Sequence, residues 1–375
     1  MSGIYVHIPF CRKACHYCNF HFSTQTGLQE DMVWAICREI EMRADYLEDK
    51  HLDSIYFGGG TPSLLSEEQL NTILDKIRAH FFINEAAEIT LEANPDDLSE
   101  YYLKTLTGSG VNRLSIGVQS FFDDELIWMN RSHNVQQAEE CIANARAQGI
   151  QDISIDLIFA LPGSTTKRWQ ANLEKFIKMQ LDHLSCYGLT VEPRTALEYM
   201  VRSGKTGNID ERKYEEQFRL AEELLGEASY ERYEISNYAK DGRYAKHNSS
   251  YWKGEEYLGL GPSAHSFNGI SRRWNISHNS KYINCIKTGD TFYEEEYLSE
   301  ADRFNEYIMT GLRTKWGCSE NKLKTMNADY FELFRADASK QMHIGLMEKR
   351  SGNYYLKGEG WLMADAVMAS LFIES

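Results

Sequence analysis

Positive charge is what this sequence is short of. Forty Lys and Arg face 55 Asp and Glu, a formal net charge of −15. A protein that grips nucleic acid non-specifically needs a basic face, so that class is excluded. Long apolar runs are also missing. None approaches the roughly 18 residues that carry a helix across a bilayer, and no integral membrane protein is expected. No charged segment followed by an apolar one opens the chain, so the protein is expected in the cytoplasm. In that compartment cysteines stay reduced, and metal binding outranks disulfide formation. A second C-x2-C pair is absent, and with it the usual two-knuckle zinc architecture. Proline is scarce, at six in 375 residues.

What is present begins with Cys11, Cys15 and Cys18. Their C-x3-C-x2-C spacing follows the apolar run Ile4–Phe10 and lets one loop wrap a compact metal centre with three thiolates. A four-iron cluster usually takes four cysteines, so three would leave one iron open to a further ligand. Zinc is the alternative, with His16 or His21 completing the set. The loop resembles that of the radical S-adenosylmethionine (SAM) superfamily, in which SAM chelates the open iron through its amino and carboxylate groups. The other five cysteines, Cys37, Cys141, Cys186, Cys285 and Cys318, stand singly and read as small buried hydrophobes.

Short β-like runs then alternate with amphipathic helical patterns. Strands are predicted at Ile4–Phe10, Ser54–Phe57, Glu88–Glu92, Arg113–Val118, Ile153–Phe159 and His183–Leu189. Helices are predicted at Gln29–Leu47, Ser66–Phe82, Ser99–Ser109, Val135–Gln148, Thr166–Met179 and Glu211–Ala228, several opening on capping residues. Six strand–helix units imply a parallel sheet with helices outside. Six are too few for a closed eight-unit barrel, so the expected α/β fold is an open, partial (β/α)6 barrel over residues 1–229. Five of the prolines, Pro9, Pro62, Pro95, Pro162 and Pro193, fall at or past strand ends, where a missing N–H is tolerated.

In such barrels the site forms at the C-terminal ends of the strands. The polar residues gather there: the cysteine loop, Gly58-Gly59-Gly60-Thr61-Pro62, Glu92, Gln119-Ser120 and Asp156. A glycine run marks a plain turn as often as a site, yet its bare backbone can approach a ligand closely. Glu92, Gln119 and Asp156 read either as solvated loop ends or as partners for ribose hydroxyls and an ammonium group. Arg131 reads as an exposed arginine or as a bidentate carboxylate partner. Tyr17 packs on adenine or covers the metal centre, and Tyr5 shields the site or contacts the ligand.

From Tyr230 to about residue 299 the pattern turns aromatic and polar, with little helical period. This extension, 230–299, is expected to lengthen the sheet and roof the cavity. Residues 300–375 read as a small separate unit. Helical patterns at Ala301–Thr314, Ser319–Met326, Ala328–Lys340 and Gly360–Phe372 surround an extended pair turning at Ser351-Gly352-Asn353, which suggests a winged-helix-like module.

Taken together, Tyr5-Val6-His7-Ile8-Pro9-Phe10-Cys11, the three-cysteine loop, Gly58 to Pro62, Gln119-Ser120, Asp156-Leu157-Ile158, Leu161-Pro162-Gly163 and His247-Asn248-x-x-Tyr251-Trp252 carry a resemblance over nearly the whole length. The chain resembles the HemW-type radical SAM heme chaperones, relatives of the oxygen-independent (HemN-type) coproporphyrinogen III oxidases. The resemblance implies a cytoplasmic carrier of one heme, which it passes to respiratory acceptor proteins, often at the membrane. It also implies a 4Fe–4S cluster on Cys11, Cys15 and Cys18. The SAM contacts it implies are Tyr5, Tyr17, Gly59, Gly60, Thr61, Glu92, Gln119, Arg131 and Asp156. His247 is the expected heme ligand, His265 the competing one, and a cysteine thiolate a third. The alternative is an oxidase-like radical SAM enzyme. Against it, the oxidase family has a further cysteine two residues after the third, where this chain has Phe20, and a longer arm before the first.

Overall fold

The computed structural model describes residues 2–374. Each of the six expected strands forms: β1 (Ser2–Ile8), β2 (His51–Gly59), β3 (Phe82–Ala93), β4 (Arg113–Gln119), β5 (Asp152–Phe159) and β6 (His183–Gly188). They pair parallel in chain order. The helices α1 (Gln29–Met42), α2 (Glu67–His80) and α3 (Glu100–Ser109) fill the first gaps; α4 (Asp123–Trp128), α5 (Val135–Ala147) and α6 (Thr166–Met179) follow; α7 (Ala196–Arg202) and α8 (Glu211–Glu227) come after β6. The capping boxes at Ser66 and Asn134 are both made. The arrangement is the open, partial barrel.

A period of two explains why the strands hold a core and a cavity at once. One set of alternate strand residues is apolar: Ile4, Val6 and Ile8 on β1; Ile55 and Phe57 on β2; Leu114, Ile116 and Val118 on β4; Ile153, Ile155 and Leu157 on β5. These join the buried stripes of the helices in one large core. The other set is polar or aromatic and lines the inside: Tyr5, Tyr56, Glu92, Arg113, Ser115, Ser154, Asp156, His183, Ser185 and Tyr187.

The extension does lengthen the sheet, at both edges. β7 (Glu231–Arg232) and β8 (Asn237–Ala239) pair antiparallel beyond β6. β9 (Glu256–Leu260) pairs parallel with β1 on its other side. β10 (His265–Phe267), β11 (Ser271–Asn275) and β12 (Tyr293–Tyr297) follow outward, antiparallel, giving a twelve-stranded sheet. The roof is a different matter. The His247 stretch forms a helix, α9 (Lys246–Lys253), at the opposite end of the barrel. Its first N–H groups, on Lys246 and His247, donate to the Glu88 carboxylate at 2.7 and 3.1 Å. Glu88 pairs with Ser54 on β2, which in turn lies beside Gly3 on β1. Gly3 and Ser54 lie in the first halves of β1 and β2, and the Glu88 level is below Glu92 at the mouth, so α9 closes the foot of the barrel and leaves the mouth open.

α10 (Asn279–Thr288) packs on α1. Between them lies a buried polar knot. Glu39 accepts from Arg43 (3.1 Å), Asn275 (2.8 Å), the Gly261 N–H (2.8 Å) and the Tyr282 hydroxyl (2.5 Å). Residues from α11 (Glu300–Leu312) onward build a second core: β13 (Cys318–Ser319), α12 (Glu320–Met326), α13 (Ala328–His343), β14 (Met347–Arg350), β15 (Asn353–Leu356) and α14 (Ala364–Ala369). The last helix is shorter than the periodicity of Gly360–Phe372 predicts: a 3-10 turn ends at Gly360 and the α-helix covers only Ala364–Ala369. Among the described residues no helix is long and apolar enough to cross a membrane.

Candidate functional site

The cysteine loop leaves β1 and is held at its base by main chain. Ser23 donates to the Pro9 carbonyl (2.9 Å) and Cys11 to the Ser23 carbonyl (3.0 Å). Its far side rests on the segment after α4. The His16 ring bonds the Trp128 carbonyl (2.7 Å), and Asn130 donates to the Ala14 carbonyl (2.8 Å). His21 is likewise engaged: its ring meets Asn279 (2.7 Å) and its carbonyl accepts from His7 (2.9 Å). Both histidines that could complete a zinc site are thus tied to structural partners. Among the described residues, no three Cys, His, Asp or Glu side chains converge closely enough to hold a single ion.

The three cysteines instead line a cavity of about 400 Å³ at the barrel mouth. Tyr17, Gly59, Gly60, Thr61, Glu92, Gln119, Arg131 and Asp156 line the same cavity. Tyr5 does not; it lines a second, inner cavity of about 230 Å³ beneath, with Tyr56, Arg113, His183 and His247. Glu92, Ser115, Asp156 and Tyr187 face both.

The donor set suits a thiolate-bound cluster. Burial pushes the Cys11 thiol up to about 11 and raises Cys18 as well. Metal ligation must therefore displace their protons, and donors stand ready to stabilise the resulting sulfurs. The Thr61 hydroxyl is 3.4 Å from Cys11 Sγ, and Arg131 Nη1 is 3.3 Å from Cys15 Sγ. Arg131 also donates to Asn94 and to the Gly117 carbonyl, while its buried Nε has no partner. Gly117 leaves the room: a Cβ there would lie 2.9 Å from Gln119 Nε2 and 3.0 Å from Arg131 Nη2. Gln119 itself sits at φ 69°, a left-handed turn that only a few non-glycine residues adopt.

Three carboxyls line the cavity; Glu192, at its edge, accepts from the Thr190 hydroxyl (2.9 Å), and Glu92 and Asp156 lie deeper. Burial lifts Glu92 to about 7, against the hydrogen bond from the Tyr56 hydroxyl (2.7 Å). Burial also lifts Asp156 to about 6, with the Ser185 and Ser115 hydroxyls opposing. A cationic or hydroxyl-bearing ligand would draw both back toward their charged forms.

The glycines have a nearer reason than ligand approach. A Cβ on Gly60 would stand 2.6 Å from the Phe10 carbonyl and 2.8 Å from that of Ile8; Gly59, at φ 104°, would meet the His7 ring at 2.5 Å. The run is bare because β1 and the loop press against it.

His247 is 1% exposed. Its Nδ1 meets Ser54 Oγ at 2.8 Å and its Nε2 the Tyr251 hydroxyl at 2.7 Å. The ring stacks on Tyr56 at 5.1 Å, and burial lowers its pKa to about 3. Neither nitrogen offers a free lone pair. His265 is exposed on β10, beside Trp274.

Sequence reading missed Tyr56, Arg113, Ser115, Ser185 and Tyr187. All five lie on strands, and a period-two scan for polar residues inside the strands would have found them.

Residues 5–176 match the model of the radical SAM superfamily. The chain is 32% identical to the heme chaperone HemW of Mycobacterium tuberculosis, over 98% of this chain and 94% of that protein. It is 32% identical to heme chaperone HemW of Bacillus subtilis, over the full length of both. It is 30% identical to the mitochondrial radical S-adenosyl methionine domain-containing protein 1 of Danio rerio, over 100% of this chain and 87% of that one. Among solved structures, the Escherichia coli coproporphyrinogen III oxidase HemN, a radical SAM enzyme, superposes with a TM-score of 0.86 over 99% of this chain and 90% of that one, at 22% identity. That likeness is one of fold.

Proposed function

The chain belongs to the HemW family of radical SAM proteins, and from that membership we propose that it is a cytoplasmic heme chaperone. In this reading it binds a 4Fe–4S cluster, SAM and one heme, and hands the heme to an acceptor protein. The observation that carries the cofactor part is the convergence of Cys11, Cys15 and Cys18 with all the expected SAM contacts but Tyr5 on one cavity. Cys11, Cys15 and Cys18 would hold the cluster, which supplies electron-transfer chemistry and an open iron for SAM. Thr61 and Arg131 would bond the ligating sulfurs. Glu92 and Asp156 would take the ligand's hydroxyl or ammonium groups. Tyr5, a layer below, would support the site through its hydroxyl bond to His7 (3.1 Å). His247 can ligate heme iron only after leaving both Ser54 and Tyr251.

Anaerobic reconstitution with iron and sulfide analysis tests the cluster. About four irons per chain are expected in wild type, falling to near zero when all three cysteines become alanine. Wild-type iron in the triple variant would remove the assignment. A carrier should not convert coproporphyrinogen III. Product formed at enzymatic rates, dependent on SAM and a reductant, would replace this reading with the oxidase.

A further inference from the structure

The lining of the mouth cavity is not uniform. Beside its polar groups it carries Phe20, Phe22, Tyr187 and Lys13. Phe20 is 68% exposed and Tyr187 44%, an apolar rim beside a site full of charge. Lys13 is exposed as well. No hydrogen bond, ion pair or ring contact to another described residue engages it. The edge also carries the Glu192 carboxylate, which is occupied by the Thr190 hydroxyl (2.9 Å), so in a chain of net charge −15 the free ammonium among these aromatic rings suits a flat, apolar anion.

We propose that this rim is the seat of the heme, with Phe20 and Tyr187 against a macrocycle face and Lys13 paired with one propionate. The inference rests on the heme reading above and adds its location. A cavity of about 400 Å³, assigned in that reading to SAM, leaves a tetrapyrrole only the rim. The seat also needs no opening of α9, whereas His247 at the barrel foot does.

The test uses full-length, cluster-reconstituted protein titrated with ferric hemin and with hemin dimethyl ester, whose propionates are capped. The Soret band reports binding. Phe20→Ser should weaken both ligands about tenfold, and Phe20→Trp should retain affinity. Lys13→Gln should weaken hemin several-fold and leave the ester unchanged. His247→Ala should bind hemin as wild type does, and iron content should stay constant throughout. Wild-type affinity in both Phe20→Ser and Lys13→Gln, alongside saturable hemin binding by wild type, overturns the seat alone. Absence of saturable hemin binding by wild type overturns the heme reading together with the seat. Should Phe20→Ser lose its cluster, the comparison of hemin with its ester in Lys13→Gln decides, since that side chain supports nothing in the fold.

Discussion

Glu92 illustrates how one residue couples the site to stability. Its carboxyl titrates near 7 when folded and near 4.5 ordinarily, because burial disfavours the charge. The folded chain therefore holds this proton more tightly than the unfolded chain. The stability it confers is complete below about pH 4.5 and is lost as pH rises through 7. The full loss amounts to about 3 kcal/mol. Melting curves from pH 5 to 8 should show wild type falling relative to Glu92→Gln, and parallel curves would contradict the burial argument. Gly60→Ala is a second residue-level case. Its methyl would meet two main-chain carbonyls that cannot step aside, so a loss of about 2 kcal/mol or more is expected in urea unfolding, together with poorer iron loading. The sequence made the glycines visible but not their reason, since the partner is β1, some fifty residues earlier. His247 shows the same limit. Its aromatic neighbours were legible, whereas Ser54, which takes one of its nitrogens, lies 193 positions away.

At the level of elements, local signals were read well and borrowed ones were not. The six strands have their own periodicity, and α2, α3, α5 and α6 carry their own N-caps. α9 lacks one: no local side chain caps its start, and Glu88 of β3 does so from across the barrel. A helix whose N-terminus is satisfied at long range looks irregular in sequence. The Glu39 knot is another such device, joining α1 to the extension. It is fully buried, so removing the carboxylate strands the Arg43 guanidinium. Glu39→Ala should cost about 3–5 kcal/mol and should open the α10 region to protease before the rest of the chain. A variant that unfolds at the wild-type urea concentration would show that the knot adds nothing.

Over the whole molecule, the separate character of the C-terminal unit was legible from its change of pattern, and its attachment was not. Its own core is distinct, and it meets the barrel through an aromatic and charged seam. Trp316 packs on Tyr233 and Tyr244, and Lys315 reaches Glu231 and Tyr244. Tyr233 in turn bonds His183 inside the barrel at 2.7 Å. We therefore propose that residues from Glu300 onward serve docking and closure. Truncation there should lower the melting temperature and slow heme transfer while leaving reconstituted iron intact; a folded truncation without a cluster would refute this.

The position of β1, clasped between β2 and β9, has a consequence for the birth of the chain. Its first neighbour follows within some fifty residues, but its second arrives only at Glu256. At roughly 5–20 residues per second on the ribosome, the open flank of this interior strand waits for tens of seconds. During that interval it is an unpaired edge of aliphatic residues, the kind of surface that captures other nascent chains. Overproduction without chaperone support should therefore send this protein into aggregates during synthesis, well before cofactor supply becomes limiting.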